Sequence, residues 1–207
     1  MNNPSAYGNE GCGYMDGKYL PMSEMSLPVT DLGFQLSDMC YDALHVHNGR
    51  YFRMDDHLDR FQQAIKERRY ETLDTDRQGF ANILQECASK SGLRNAMVTI
   101  VATRGTPSSG HKDLRSCKNR LMVWVVPYYS VVTEEESHLG CDIVVATTQR
   151  IPPEAVDPTI KNYGRLDFVR SLFEAYDREA SYAVLLDSDG NVTEGRGWNI
   201  FGLQNGR

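Results

Sequence analysis

Alternating apolar and polar positions mark the first half of the chain. In "MCYDALHVHNGRYFRMDDH" (39–57) a two-residue period runs up to Asn48-Gly49 and resumes after it. This predicts a hairpin, because Asn-Gly readily takes the positive φ angles of a tight turn. "GYMDGKYL" (13–20) predicts a smaller hairpin around Asp16-Gly17. The period then lengthens. In "MDDHLDRFQQAIKERRYE" (54–71), Leu58, Phe61 and Ile65 fall on one helical face, and Asp55 and Asp56 suit the positive end of the helix dipole. "DRQGFANILQECASKSG" (76–92) predicts a second helix closed by Gly92. "NAMVTIVATRG" and "RLMVWVVPYY" are β-rich runs of the kind buried in a sheet, separated by the polar loop "GTPSSGHKDLRSCKN".

Beyond residue 130 the pattern changes. "VVTEEESHLG" reads as a linker with a solvated acidic face. A strand in "CDIVVATTQRIPP", an amphipathic helix in "DPTIKNYGRLDFVRSLFEA", a strand in "SYAVLLDSDGNV" and another in "GWNIFGLQNG" follow. These readings divide the chain into a loose tail (1–12), an N-terminal α/β domain (13–135) and the first part of a second domain (136–207).

Composition narrows the function classes. Of 207 residues 41% are hydrophobic, enough for a core, and the net charge is −6. An acidic surface disfavours nucleic acid as a partner. No apolar run approaches the length of a membrane span, and the N-terminus shows no signal-peptide pattern. Five scattered cysteines without a Cys-x-x-Cys pair suggest a reduced, cytoplasmic protein. His45 and His47 alternate on one strand, but no third ligand accompanies them, so no metal site is expected.

Lys161 carries the chemical question. It stands at the apparent leading edge of a helix, where its charge opposes the helix dipole. A lysine disfavoured in its charged form is a nucleophile and a base. Glu194 lies 33 residues further on, flanked by Gly195 and Gly197. Its carboxylate could pair with a ring nitrogen of a bound cofactor.

The segments "FRMDDHLDRF", "DPTIKNYGRLDF" and "DGNVTEGRGWNIF", in this order, resemble the class IV pyridoxal-phosphate aminotransferases over nearly the whole chain. That family covers branched-chain and D-amino-acid aminotransferases and (R)-selective amine transaminases. The resemblance implies an α+β fold of the D-amino-acid aminotransferase type and pyridoxal 5′-phosphate as cofactor. It implies that Lys161 joins the cofactor aldehyde, Glu194 binds the pyridine nitrogen and Arg60 binds the phosphate. Tyr41, Ala43 and Arg115 would line the substrate pocket, and Asn199 would be mainly structural. The implied activity moves an amino group from an amine or amino acid of (R), D or branched-chain type to an oxo acid or ketone, in a homodimer. Asp42 beside Tyr41 makes the hairpin look more like the amine transaminases.

Family members continue past the position of Arg207. The chain is therefore expected to be C-terminally truncated, which leaves two further readings: a non-catalytic remnant or partner subunit of a full-length relative, and a lyase using the same lysine.

Overall fold

A computed structural model describes residues 11–108 and 113–205. The chain divides into two units. The first takes residues up to Tyr129 together with Thr159–Tyr163; the second takes Ser130–Pro158 and the chain from Gly164 onward. The predicted tail falls almost wholly outside the described residues.

The first unit is built on a six-stranded antiparallel sheet ordered β2-β1-β6-β5-β3-β4. Strand β1 (Cys12–Met15) turns through Asp16-Gly17 into β2 (Lys18–Leu20). Both turn residues have positive φ, 50° and 78°, the conformation a two-residue hairpin demands. After the short α1 (Leu32–Leu36), β3 (Met39–His47) turns through Asn48-Gly49 into the two-residue β4 (Arg50–Tyr51) in the same way. Helices α2 (Met54–Glu67) and α3 (Arg77–Ser91) follow, and Gly92 ends α3 in the left-handed conformation. The long strands β5 (Ala96–Pro107) and β6 (Cys117–Pro127) complete the sheet.

The two faces of this sheet differ because successive strand residues point to opposite sides. Cys40, Leu44 and Val46 of β3 and Val98 and Ile100 of β5 pack with Leu58, Phe61, Phe80 and Leu84 of the helices. Phe61 meets Phe80 edge to face at 5.5 Å. The other face carries a smaller cluster of Met15, Tyr41, Val101 and Met122, with Tyr163 packed against it.

The segment expected as a fifteen-residue loop is partly sheet. The β5–β6 ladder continues through Thr106↔Lys118 and Pro107↔Cys117 after an irregularity beyond Thr103. Gly105 sits in it with φ +80°, and a Cβ there would overlap the Lys118 carbonyl. Only glycine combines that φ with so close a backbone approach.

In the second unit, β7 (Ile143–Gln149) and β8 (Tyr182–Leu186) are parallel and connected through α5 (Leu166–Asp177), while β9 (Val192–Gly195) pairs antiparallel to β8. The core under α5 is made of small residues, Ala146, Ala175, Ala180 and Ala183. These let the helix approach the sheet, and Glu174 ties the two by accepting from the Thr147 backbone N–H at 2.7 Å.

Two expectations are corrected here. The acidic run is a helix, α4 (Glu134–Leu139), because Thr133 and Glu136 form a reciprocal capping box that satisfies its first amide groups. The run "GWNIFGLQNG" is not a strand: Trp198 makes a single bridge to Gly195, and residues 199–203 have no regular structure. No helix among the described residues is long and apolar enough to cross a membrane.

Candidate active site

Lys161 does not lie at a helix start. Helix α5 begins at Leu166, and Arg165 occupies its cap position. The dipole acts mainly on the first turn, so the argument from an awkward helix-start lysine fails. What places Lys161 is β3. The two-residue β4 covers only the far end of that strand, and residues 161–162 take the open edge near its start. Tyr41 N–H donates to the Lys161 carbonyl at 2.9 Å, and Cys40 bridges Asn162. Ile160 packs against the helix-side core and Tyr163 against the opposite face. Apolar neighbours thus anchor the lysine from both directions.

The Lys161 Nζ lies 5.1 Å from the centroid of the Tyr41 ring. Tyr163 stacks on the same ring, tilted, with centroids 4.7 Å apart. Tyr41 itself is buried. Its ring is a fixed platform with the lysine amine held over it by a cation–π contact. Ala43, two residues along, shares the strand face of Tyr41 and is half-buried.

Asp42 points the other way, to the helix side, as the only described charged residue of β3 there. It is fully buried. Arg60 of α2 donates to it through Nε (2.7 Å to Oδ2) and Nη2 (2.7 Å to Oδ1), and His57 Nδ1 lies 2.9 Å from Oδ1. Burial alone would push the Asp42 carboxyl up. The hydrogen bonds from His57 and Arg60 more than offset it and hold the group below the usual carboxylate range. The Arg60 side chain remains 49% exposed, and its Nη1 lies outside the Asp42 pair.

Arg115 is not brought to Lys161 and Tyr41. Its guanidinium closes on Asp113 at 2.9 and 3.0 Å, with the side chain 91% exposed. Arg104, the other arginine near this loop, is engaged structurally: it donates to Asp38 and to the Arg68 and Arg69 carbonyls, and lies over the Tyr70 ring.

Glu194 belongs to the second unit, on β9. Arg150, just past β7, donates to Glu194 Oε1 through Nε (3.3 Å) and Nη2 (3.2 Å) and to Asp167 Oδ2 through Nη1 (2.5 Å). Gly195 beside it is required sterically, since a Cβ would overlap the Trp198 ring. Asn199 is exposed.

Sequence reasoning had not assigned Asp42 to Arg60, nor Arg150 and Asp167 to Glu194. For Asp42 a signal existed: it is a charge in the alternation of Cys40, Leu44 and Val46, and a buried charge needs a partner. Arg150 carried none, because its partners come from distant parts of the chain.

Within the first unit, the Lys161 amine could meet an aldehyde and the half-exposed Arg60 guanidinium a phosphate. Within the second unit, Glu194 offers a carboxylate engaged through one oxygen among the described residues.

The family model for amino-transferase class IV matches residues 39–207. The chain is 24% identical over 194 residues to the branched-chain-amino-acid aminotransferase-like protein 1 of Arabidopsis thaliana, covering 93% of this chain and 35% of that protein. It is 24% identical over 186 residues to a D-alanine aminotransferase of Bacillus licheniformis, covering 90% and 63%. Among solved structures it superposes on the branched-chain amino acid aminotransferase of Thermobaculum terrenum in its PLP form, with a TM-score of 0.73, 16% identity and coverage of 90% and 62%. The Escherichia coli branched-chain amino acid aminotransferase gives a TM-score of 0.82 at 15% identity, with coverage of 89% and 62%. The chain spans less than two thirds of the length of these relatives.

Proposed function

Because the chain belongs to the class IV amino-transferase family, we propose that it takes part in pyridoxal-phosphate-dependent transfer of an amino group from an amine or amino acid to an oxo acid or ketone. The observation that carries this reading is the fixed amine of Lys161, held on the edge of β3 over the Tyr41 ring.

Pyridoxal phosphate, when bound, supplies an electron-withdrawing ring that stabilises negative charge at the substrate carbon. Lys161 Nζ would be the group to meet the cofactor's aldehyde, and its amine would hold and move a proton at the substrate carbon. Arg60, steadied by Asp42, offers its outer N–H groups to the phosphate. Glu194 would be the carboxylate to hold a proton at the ring nitrogen. Tyr41 fixes the approach of the lysine and walls the substrate side.

The donor class, (R)-amine, D-amino acid or branched-chain amino acid, is part of the proposal. Asp42 bears on it through motif resemblance only, since its carboxylate turns to Arg60 and His57. A homodimer is proposed as the assembly, to be checked by light scattering.

Incubation with pyridoxal phosphate, borohydride reduction and peptide mapping tests the reading. The expected product is a reduced cofactor adduct on Lys161. A label on another lysine, or none, would remove Lys161 from its role.

A further inference from the structure

We infer that Arg150, anchored by Asp167, is a positioning residue that sets the orientation of the Glu194 carboxylate toward the cofactor ring; this rests on the role proposed for Glu194.

Three elements converge on Arg150. Its backbone N–H donates to the Leu186 carbonyl at 2.9 Å, which continues the β7–β8 pairing past the end of β7. Its guanidinium carbon lies over Phe168, 4.4 Å from the ring centroid. Its side chain is only 16% exposed. Asp167, in the first turn of α5, is also saturated. Besides Arg150 it accepts from the backbone N–H of Ile151 at 3.1 Å and of Phe168 at 2.9 Å. The Arg150–Asp167 pair is therefore tied to backbone on both sides and cannot swing.

Glu194 is held differently. Both of its contacts from Arg150 end on the same oxygen, Oε1. They are longer than the contact to Asp167, and the Glu194 side chain is 35% exposed. A two-oxygen grip, such as Arg60 makes on Asp42, would engage both carboxylate oxygens. Gripping one oxygen fixes the direction of the carboxylate and turns Oε2 away from the pair. One guanidinium between two carboxylates also leaves one formal negative charge. A protonated ring nitrogen is a cation of the right charge to balance it. Desolvating an arginine for two acids costs free energy, which is understandable if the arrangement serves a third, cationic group.

A double-mutant cycle tests this without turnover. The dissociation constant for pyridoxal phosphate and the pH midpoint of the bound cofactor's absorbance band are measured in wild type, Arg150→Gln, Glu194→Gln and the double variant. Each single variant is expected to weaken binding about tenfold, the scale of one charge-assisted hydrogen bond. Each should move the band midpoint in the same direction. The double variant should match Glu194→Gln alone, because Arg150 acts only through Glu194. Arg150→Lys should recover part of the loss. Losses that multiply in the double variant, or an Arg150→Gln protein with the wild-type midpoint, would overturn the inference. If Arg150→Gln fails to fold, Asp167→Asn, which loosens the anchor and keeps the guanidinium, enters the same cycle with the same criteria. Borohydride labelling of Lys161 in every variant separates the outcomes. An unlabelled wild type removes the proposed function itself, whereas labelled proteins with a multiplicative cycle remove only the role of Arg150.

Discussion

Asp42 accepts both Nε and Nη2 of Arg60, each at 2.7 Å, and so takes the fork of the guanidinium that a bound phosphate would otherwise be expected to use. The carboxylate is fully buried while the arginine is half exposed. Asp42 thus acts as a pedestal. It fixes the plane of the guanidinium and leaves the Nη1 end for an anion. The desolvation cost falls on Asp42, and His57 and Arg60 together offset it.

That pedestal has a pH signature. The folded-state pKa of Asp42 is depressed, so its stabilising contribution is present above the unfolded value of about 4 and is lost as pH falls through the depressed folded value. Asp42→Asn should be less stable than wild type by about 1–3 kcal/mol at pH 7, the range for a disrupted buried charge pair with one partner half-exposed. The gap should close as the pH drops below about 4. Urea unfolding across that range measures it, and a gap that stays constant down to acid pH would show that the charge on Asp42 is not what matters.

Arg60→Ala should separate phosphate from ring recognition. Pyridoxal phosphate should bind about tenfold or more weakly, consistent with loss of a charge-assisted contact, while pyridoxal without its phosphate should bind as it does to wild type. Absorbance titrations with both compounds make the comparison. Equal weakening for the two would place Arg60 elsewhere than at the phosphate.

Gly105 and Gly17 have nearly the same φ, +80° and +78°, but different surroundings: a Cβ would meet nothing within 4 Å at Gly17 and backbone at Gly105. Gly17→Ala should cost about 1 kcal/mol, from the backbone conformation alone. Gly105→Ala should cost clearly more, because the β5–β6 ladder must also shift. Denaturant midpoints of the two variants decide, and equal losses would mean that the ladder yields freely.

Thr133→Ala removes the capping box of α4 and should cost about 1 kcal/mol. Since α4 buries no residue, the loss should be local. Faster amide exchange at 136–140 with an unchanged global unfolding midpoint is the expected result. A lowered global midpoint would mean that α4 is part of the cooperative unit.

Much of this was determined by sequence alone. Asp16-Gly17 and Asn48-Gly49 defined their turns because positive φ at both positions is a local property. Leu58 and Phe61 defined the buried face of α2 because periodicity fixes which side chains share a face. The three motif segments fixed the family. What the sequence left open is non-local. The helix after Lys161 was placed too early, because a pattern of apolar spacing cannot show that residues 161–162 pair with β3, where backbone groups on an uncovered strand edge compete for them. The acidic run, solvated as expected, was read as a linker because the capping box of Thr133 and Glu136 was not recognised. On α5 the apolar spacing of Leu166, Val169, Phe173 and Tyr176 marks the exposed face, while Phe168, Ser171 and Ala175 are buried. Most decisively, Arg60 could be read as a phosphate ligand and Glu194 as a ring partner, but not that each is held by a second charge. Asp42 lies 18 residues from Arg60, and Arg150 lies 44 from Glu194. Such pairs form only when the folded chain strips water from them and makes an unpaired charge too costly to leave alone.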